Sequence, residues 1–432
     1  MKYHPVTDSI KSLKQLREYL LNDELSKVYP SLNRHLKAVE KRGIDAGGDM
    51  NILLDFLLLS VGNAVGTQSR FRNEAERYML FCWNELHKSL LQSTSEDVSA
   101  YVNWLKNPPK KLISDSTIAS RFKNKTGSNV RLVNKDWRPF VLRLPKAIRK
   151  SKSIISVSAS TPPLKINYQL SDASLQSAYT SLNALFKYLI KINLVTHNPV
   201  SEVKKEHRKV TDASKYKAPD AFSEEVWGSF VEILTDAANN NKKYEPHRFV
   251  VLTLKVLFLR ISELSQRNGI TPVFSDFSYD DNTQGWMLKV IGKGNKERFI
   301  TVPTVYIENV LTRYRLYLGL SPLPLANENI PIVPSLRTGR ALHQDSINNL
   351  VEGAFDLVVE VLTKQNKLKD AHEVASASSH WLRHTGAKQA LHELGEHDLA
   401  QEIGHQSAET TARVYIAPEQ RNRIKKGINR KL

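Results

Sequence analysis

Apolar residues recur at helical spacing along most of this chain. Leu13, Leu16, Leu20 and Leu21 mark short helices within the first 65 residues. Two helices are expected over residues 67–105. The first runs from about Gln68 to Leu90, with Phe71, Tyr78, Met79, Cys82 and Trp83 at its apolar positions. Thr94 followed by Asp97 has the form of a capping box and opens the second, which ends near Leu105, ahead of Pro108. Leu175, Tyr179, Leu182, Leu185, Phe186 and Leu189 share one side of a helix over 170–192. Asn198-Pro199 then closes the region. Residues 201–221 lose apolar periodicity and read as an exposed linker. Beyond residue 222 the spacing is again mainly helical, with one switch to period two. WMLKVI (286–291) and ERFITV (297–302) flank GKGNK and predict a β-hairpin, with a preceding strand around Pro272 to Tyr279. The expected fold class is mainly α with a small antiparallel β-sheet.

The pattern divides the chain into an N-terminal helical extension (1–65), a helical region (66–200), a linker (201–221) and a C-terminal α+β domain (222–432). The longest apolar run, Ile52 to Val61, contains Asp55 and is too short to span a bilayer. With no apolar segment in MKYHPVTDS, a cytoplasmic protein is expected. Cys82 is the single cysteine, so an internal disulfide and a cysteine-rich zinc site are excluded.

Charge changes the picture. The net charge is +18, which points to a polyanionic partner, most simply nucleic acid. Residues 106–152 hold 14 Lys or Arg against two Asp, a local excess of +12 interleaved with Phe122, Trp137 and Phe140. This stretch is read either as a DNA-facing insertion or as a solvated loop.

Six residues carry the candidate chemistry: Arg260 in FLRISEL, Lys293 in VIGKGNKERF, His380 and Arg383 in HWLRHT, His405 in IGH and Tyr415 in ARVYI. Each has an ordinary structural reading by itself. Arg260 falls in the nearly apolar stretch VVLTLKVLFLRISEL, read as one helix, where Glu263 can orient it. Lys293 sits at a hairpin turn. His380 and Arg383, at i and i+3, share a face of a helix that Gly395 terminates. His405 follows Gly404, a helix C-terminal glycine, and Tyr415 is one of 15 tyrosines. As a set they suit attack on a phosphodiester. Guanidiniums neutralise the non-bridging oxygens, imidazoles donate or accept protons, an ammonium protonates the leaving oxygen and a phenol supplies the nucleophile. No Walker-type phosphate loop occurs in the sequence.

In these motifs the chain resembles the tyrosine recombinase (phage integrase) family. FLRISEL resembles its first arginine box, VIGKGNKERFITVP its β-hairpin, SSHWLRHT its second box and IGHQSAETTARVY its last. The likeness covers about residues 222–420 and extends more weakly over 67–200, as a core-binding (SAM-like) domain. It implies a site-specific DNA recombinase that cuts through a 3′-phosphotyrosine on Tyr415, with Arg260, Lys293, His380, Arg383 and His405 as its other catalytic residues. It implies no cofactor and no metal. The implied partners are double-stranded DNA carrying recombination sites, a homotetramer on that DNA, and accessory recombination proteins. The alternatives are a type IB topoisomerase-like nicking-closing enzyme and a non-catalytic DNA-binding protein on the same fold. The chain departs from the pattern in Leu259 before the first arginine, a ten-residue step from His405 to Tyr415, the insertion at 106–152 and the first 65 residues.

Overall fold

The computed structural model describes residues 3–60, 65–114, 120–142, 146, 168–206, 220–267, 269–292, 294–404 and 408–411. The chain separates into two compact units. The first comprises Met1–Leu144 with Ser160–Thr211, the second Pro145–Ala159 with Asp212–Leu432. No described helix is long and apolar enough to cross a membrane.

Unit 1 is helical: α1 (Leu13–Leu21), α2 (Pro30–Glu40), α3 (Ala46–Leu59), α4 (Val65–Phe81), α5 (Ser95–Lys106), α6 (Asp172–Lys191) and α7 (Pro199–Glu206). The first 65 residues are not an appended module. Tyr3, Val6, Leu16 and Leu32 lie in the same hydrophobic core as Trp83, Tyr101, Leu185 and Val203. Of the leucines at helical spacing, Leu13 and Leu16 are buried and Leu21 is exposed.

The helix expected to reach Leu90 stops earlier. A wider turn follows α4 over Cys82–Leu86, and His87 adopts a left-handed backbone (φ 56°) that no helix can continue. Cys82 is buried, as its apolar surroundings require. The capping box before α5 forms as expected: Asp97 accepts from the Thr94 N–H and Thr94 from the Asp97 N–H. The linker begins later than expected. Pro199 opens α7, whose Val200 and Val203 are fully packed. The rest of the expected linker falls at residues 207–219, outside the described residues, and 220–221.

The described part of the basic insertion is neither a simple solvated loop nor a wholly DNA-facing one. Four short strands cross it: β1 (Ile113–Ser114), β2 (Phe122–Asn124), β3 (Arg131–Val133) and β4 (Phe140–Val141). β1 pairs parallel with β4, and β2 antiparallel with β3. The interleaved aromatics Phe122, Trp137 and Phe140 are core residues, with Phe140 edge-on to Trp104. Arg121 is buried against Glu76 and Thr7. Lys110, Lys111, Lys125 and Lys135 remain exposed. Burying the aromatics therefore turns the remaining charge outward.

Unit 2 carries α8 (Glu224–Asn240), α9 (Glu245–Val256), α10 (Ile261–Leu264), α11 (Gln344–Lys364), α12 (Leu368–Ser376) and α13 (Ser379–Ile403) around β5 (Phe277–Asp280), β6 (Gly285–Ile291) and β7 (Glu297–Val302). The three strands form the expected antiparallel sheet, order β5-β6-β7, with Ile291 opposite Glu297 at the hairpin. Leu288, Val290, Ile300 and Val302 face its core. The mainly α fold with a small antiparallel sheet is thus as the pattern predicts. Gly395 (φ 74°) interrupts α13, and Gly404 (φ 67°) ends it in the left-handed conformation that glycine adopts without penalty.

Candidate functional site

The stretch read as one apolar helix is broken before its arginine. α9 ends at Val256, Phe258 takes a left-handed backbone (φ 49°), and Arg260 is extended (φ −79°, ψ 147°) just ahead of α10. A non-glycine residue at positive φ is held only where its surroundings over-determine it. Here the Phe258 ring is buried with Ala387, Leu391, Leu399 and Ile403, and its carbonyl accepts a hydrogen bond from Arg383 Nη1. Neither contact is local in sequence, so helical periodicity could not announce the break. The effect is to lift Arg260 out of the apolar helix, with its side chain 31% exposed.

Glu263 is the hub beneath it. The Glu263 side chain is fully buried and receives the Arg260 N–H at 2.9 Å and Arg260 Nη1 at 2.8 Å. Arg298 grips the same carboxylate with both fork nitrogens, each at 3.0 Å. Arg383 Nη1 stands 3.8 Å from it. Burial alone would raise the carboxyl pKa, but the Arg298 fork, then the Arg260 N–H and charge, hold it down to about 2. Three guanidiniums around one carboxylate leave an excess of two positive charges. Arg267, hydrogen-bonded to the Ile291 carbonyl, adds to the field.

Arg383 is 3% exposed and donates to the carbonyls of Phe258 and Ile403. It therefore braces the break after α9 and the end of α13, and lends its charge from below. Its helix packs at closest approach. A Cβ on Gly386 would lie 1.9 Å from the Lys255 carbonyl oxygen, so only a hydrogen fits between α13 and α9. His380 lies in the first turn of α13, at the surface, where helix N–H groups also favour an anion. Partial desolvation, then the charges of Arg383 and Arg260, lower its pKa below the usual 6.5, so the ring is neutral at physiological pH.

The structure thus brings together Arg260, His380 and Arg383, which sequence places 120 residues apart. Lys293, His405 and Tyr415 lie outside the described residues. Their flanks are described: Gly292 N–H donates to the Lys296 carbonyl at 2.7 Å, closing the hairpin turn that contains Lys293, and Gly404 precedes His405. Arg298 is invisible to motif reading. Its signal lies in strand parity. Arg298 alternates with Ile300 and Val302 and pairs with Val290, so an arginine occupies the inward face of an amphipathic strand. Among the described residues no group of acidic, histidine or cysteine side chains is placed to hold a metal ion.

No protein-family model matches the chain, and no curated protein does. Solved structures do resemble it. The XerH site-specific recombinase bound to difH substrate (pre-cleavage complex) is 14% identical, with a TM-score of 0.46, over 98% of this chain and 99% of that one. A lambda integrase dimer bound to a COC′ core site is 14% identical, with a TM-score of 0.47, over 86% and 77%. The Tn1549 transposon integrase in complex with transposon right end DNA is 13% identical, with a TM-score of 0.44, over 87% and 98%. At this level of likeness the side-chain chemistry has to carry any functional reading, and what the comparison establishes is that the chain is similar to solved structures of site-specific recombinases and integrases.

Proposed function

We propose that the chain is a site-specific DNA recombinase that breaks and rejoins strands through a phosphotyrosine on Tyr415. The observation that carries this reading is the gathering of Arg260 and Arg383 around buried Glu263, with His380 within the field of both guanidiniums, positive charge in excess and Arg260 reaching solvent. Such a cluster suits the non-bridging oxygens of a phosphodiester, whose charge grows toward the transition state.

In the proposed reaction the Tyr415 hydroxyl gives its proton to an imidazole of the set, His380 or His405, and its oxygen attacks phosphorus. The bond from phosphorus to the 5′-oxygen breaks, and Lys293 supplies that oxygen with a proton, leaving a free 5′-hydroxyl and a 3′-phosphotyrosine. Arg260 grips the phosphate, Arg383 adds charge beneath it, and His380 and His405 hydrogen-bond or exchange protons with the reacting oxygens. Because the phosphoryl bond energy is kept in the adduct, the reverse attack reseals the strand without ATP. Duplex DNA carrying recombination sites, four protomers and accessory recombination proteins complete the proposed assembly, and the net charge of +18 supports the polyanionic partner.

The test uses a nicked duplex carrying a site enriched by the chain itself from a random DNA pool. The parent protein traps a covalent protein–DNA adduct on it. Tyr415→Phe keeps DNA affinity and traps none. Normal adduct formation by that variant would assign the nucleophile elsewhere.

A further inference from the structure

Arg298 joins three segments that the proposed chemistry needs at once. Its fork holds both oxygens of Glu263 at 3.0 Å, and Glu263 in turn fixes the backbone and guanidinium of Arg260. Its Nε donates to the Glu402 carbonyl at 2.7 Å, in the turn of α13 that ends at Gly404, one residue before His405. Its own strand continues from the hairpin turn that contains Lys293, and a Cβ on Gly292 in that turn would meet Arg298 Nη1 at 3.2 Å. A Cβ on Gly404 would meet Arg298 Cδ at 3.1 Å. One planar side chain, 11% exposed, thus spans the arginine loop, the hairpin and the end of α13. Five donors in a rigid fork can make these bonds together, and a lysine cannot.

We propose that Arg298 is a positioning residue for strand cleavage. It sets Arg260 through Glu263 and sets the approach to His405 through the Glu402 carbonyl, without touching DNA itself. This inference rests on the phosphotyrosine reading. Its signature differs from that of a merely structural ion pair. The charged groups facing Glu263 are Arg260 and Arg267 from the loop around α10, Arg298 from β7 and Arg383 from α13, with His380 beyond Arg260 and Glu402 beyond Arg298. Without the Arg298 fork, burial raises the Glu263 carboxyl pKa, so Glu263 takes up a proton as pH falls and Arg260 loses its anionic brace. The parent, with Glu263 held at about 2, has no such acid loss from this group.

The experiment measures single-turnover adduct formation on the selected nicked duplex, DNA affinity and thermal unfolding for the parent, Arg298→Lys and Arg298→Gln. A misplaced catalytic group costs about 10² in rate. Expected are a loss of that size in both variants, DNA affinity within about threefold of the parent, and a fall in the Arg298→Gln adduct rate toward acid pH that the parent lacks. Should Arg298→Gln fail to fold, Arg298→Lys, which keeps a cation facing Glu263 but lacks the fork, carries the test with the same rate loss expected. Parent-like adduct rates in any folded variant overturn the proposal, as does a rate loss matched by an equal loss of DNA affinity with no change in pH profile. A parent that forms no adduct overturns the phosphotyrosine reading and this inference with it, a result distinct from normal cleavage by the variants.

Discussion

Glu76 in unit 1 and Glu263 in unit 2 are both buried carboxylates that receive arginine, yet their surroundings differ in one respect. Glu76 takes the N–H groups of Val6 and Thr7, the Thr7 hydroxyl and one guanidinium, Arg121. Arg121 also bonds Asn73 and lies over the Trp137 ring, and burial, against the pull of Glu76, draws its pKa down to about 10. One negative charge meets one positive charge, and both are sealed. Glu263 instead meets Arg260, Arg298 and Arg383, and Arg260 reaches solvent. The sealed pair holds the N-terminal segment, α4 and the basic insertion in one core. The unbalanced cluster leaves positive charge in excess beside a partly exposed guanidinium.

That contrast can be broken from either side. The largest effect is expected from Glu76→Ala, which strands Arg121 as a buried unpaired charge at a cost of about 3–5 kcal/mol. Urea unfolding followed by tryptophan fluorescence measures it, and a loss near that of an exposed ion pair would remove the distinction. Next comes Arg260→Ala. Adduct formation on the selected nicked duplex should fall by roughly 10² to 10³, while stability changes by less than about 1 kcal/mol because the side chain is partly exposed. A stability loss as large as that of Glu76→Ala, with cleavage spared, would make both hubs structural. The smallest effect sharpens the role of the insertion. Replacing the exposed Lys110, Lys111 and Lys125 with Gln should flatten the dependence of log affinity on log salt by about 0.9 for each phosphate that is no longer neutralised. An unchanged slope would leave the insertion with its buried role alone.

The sequence carried the hairpin, the helix over 172–191 and the Thr94–Asp97 cap because each is set by neighbours within a few residues. Short motifs mark Arg260, His380 and Arg383, which the structure brings together. What it could not carry was set at long range. The helix through Arg260 is cut by Arg383 and by the burial of Phe258, contacts from more than 120 residues away. Arg121 and the aromatics around it read as a DNA-facing insertion or a solvated loop, because composition does not say which side of a strand faces Glu76. Arg298 was legible only through strand parity, once Ile300 and Val302 were seen to share its face.

The hydrogen at position 386 has a consequence for tracing ancestry. Any chain that crosses these two helices at the same spacing must keep glycine three positions after its second arginine, whatever else drifts. That spacing is fixed by backbone contact rather than by charge, so it marks this helix crossing independently of the surface around it.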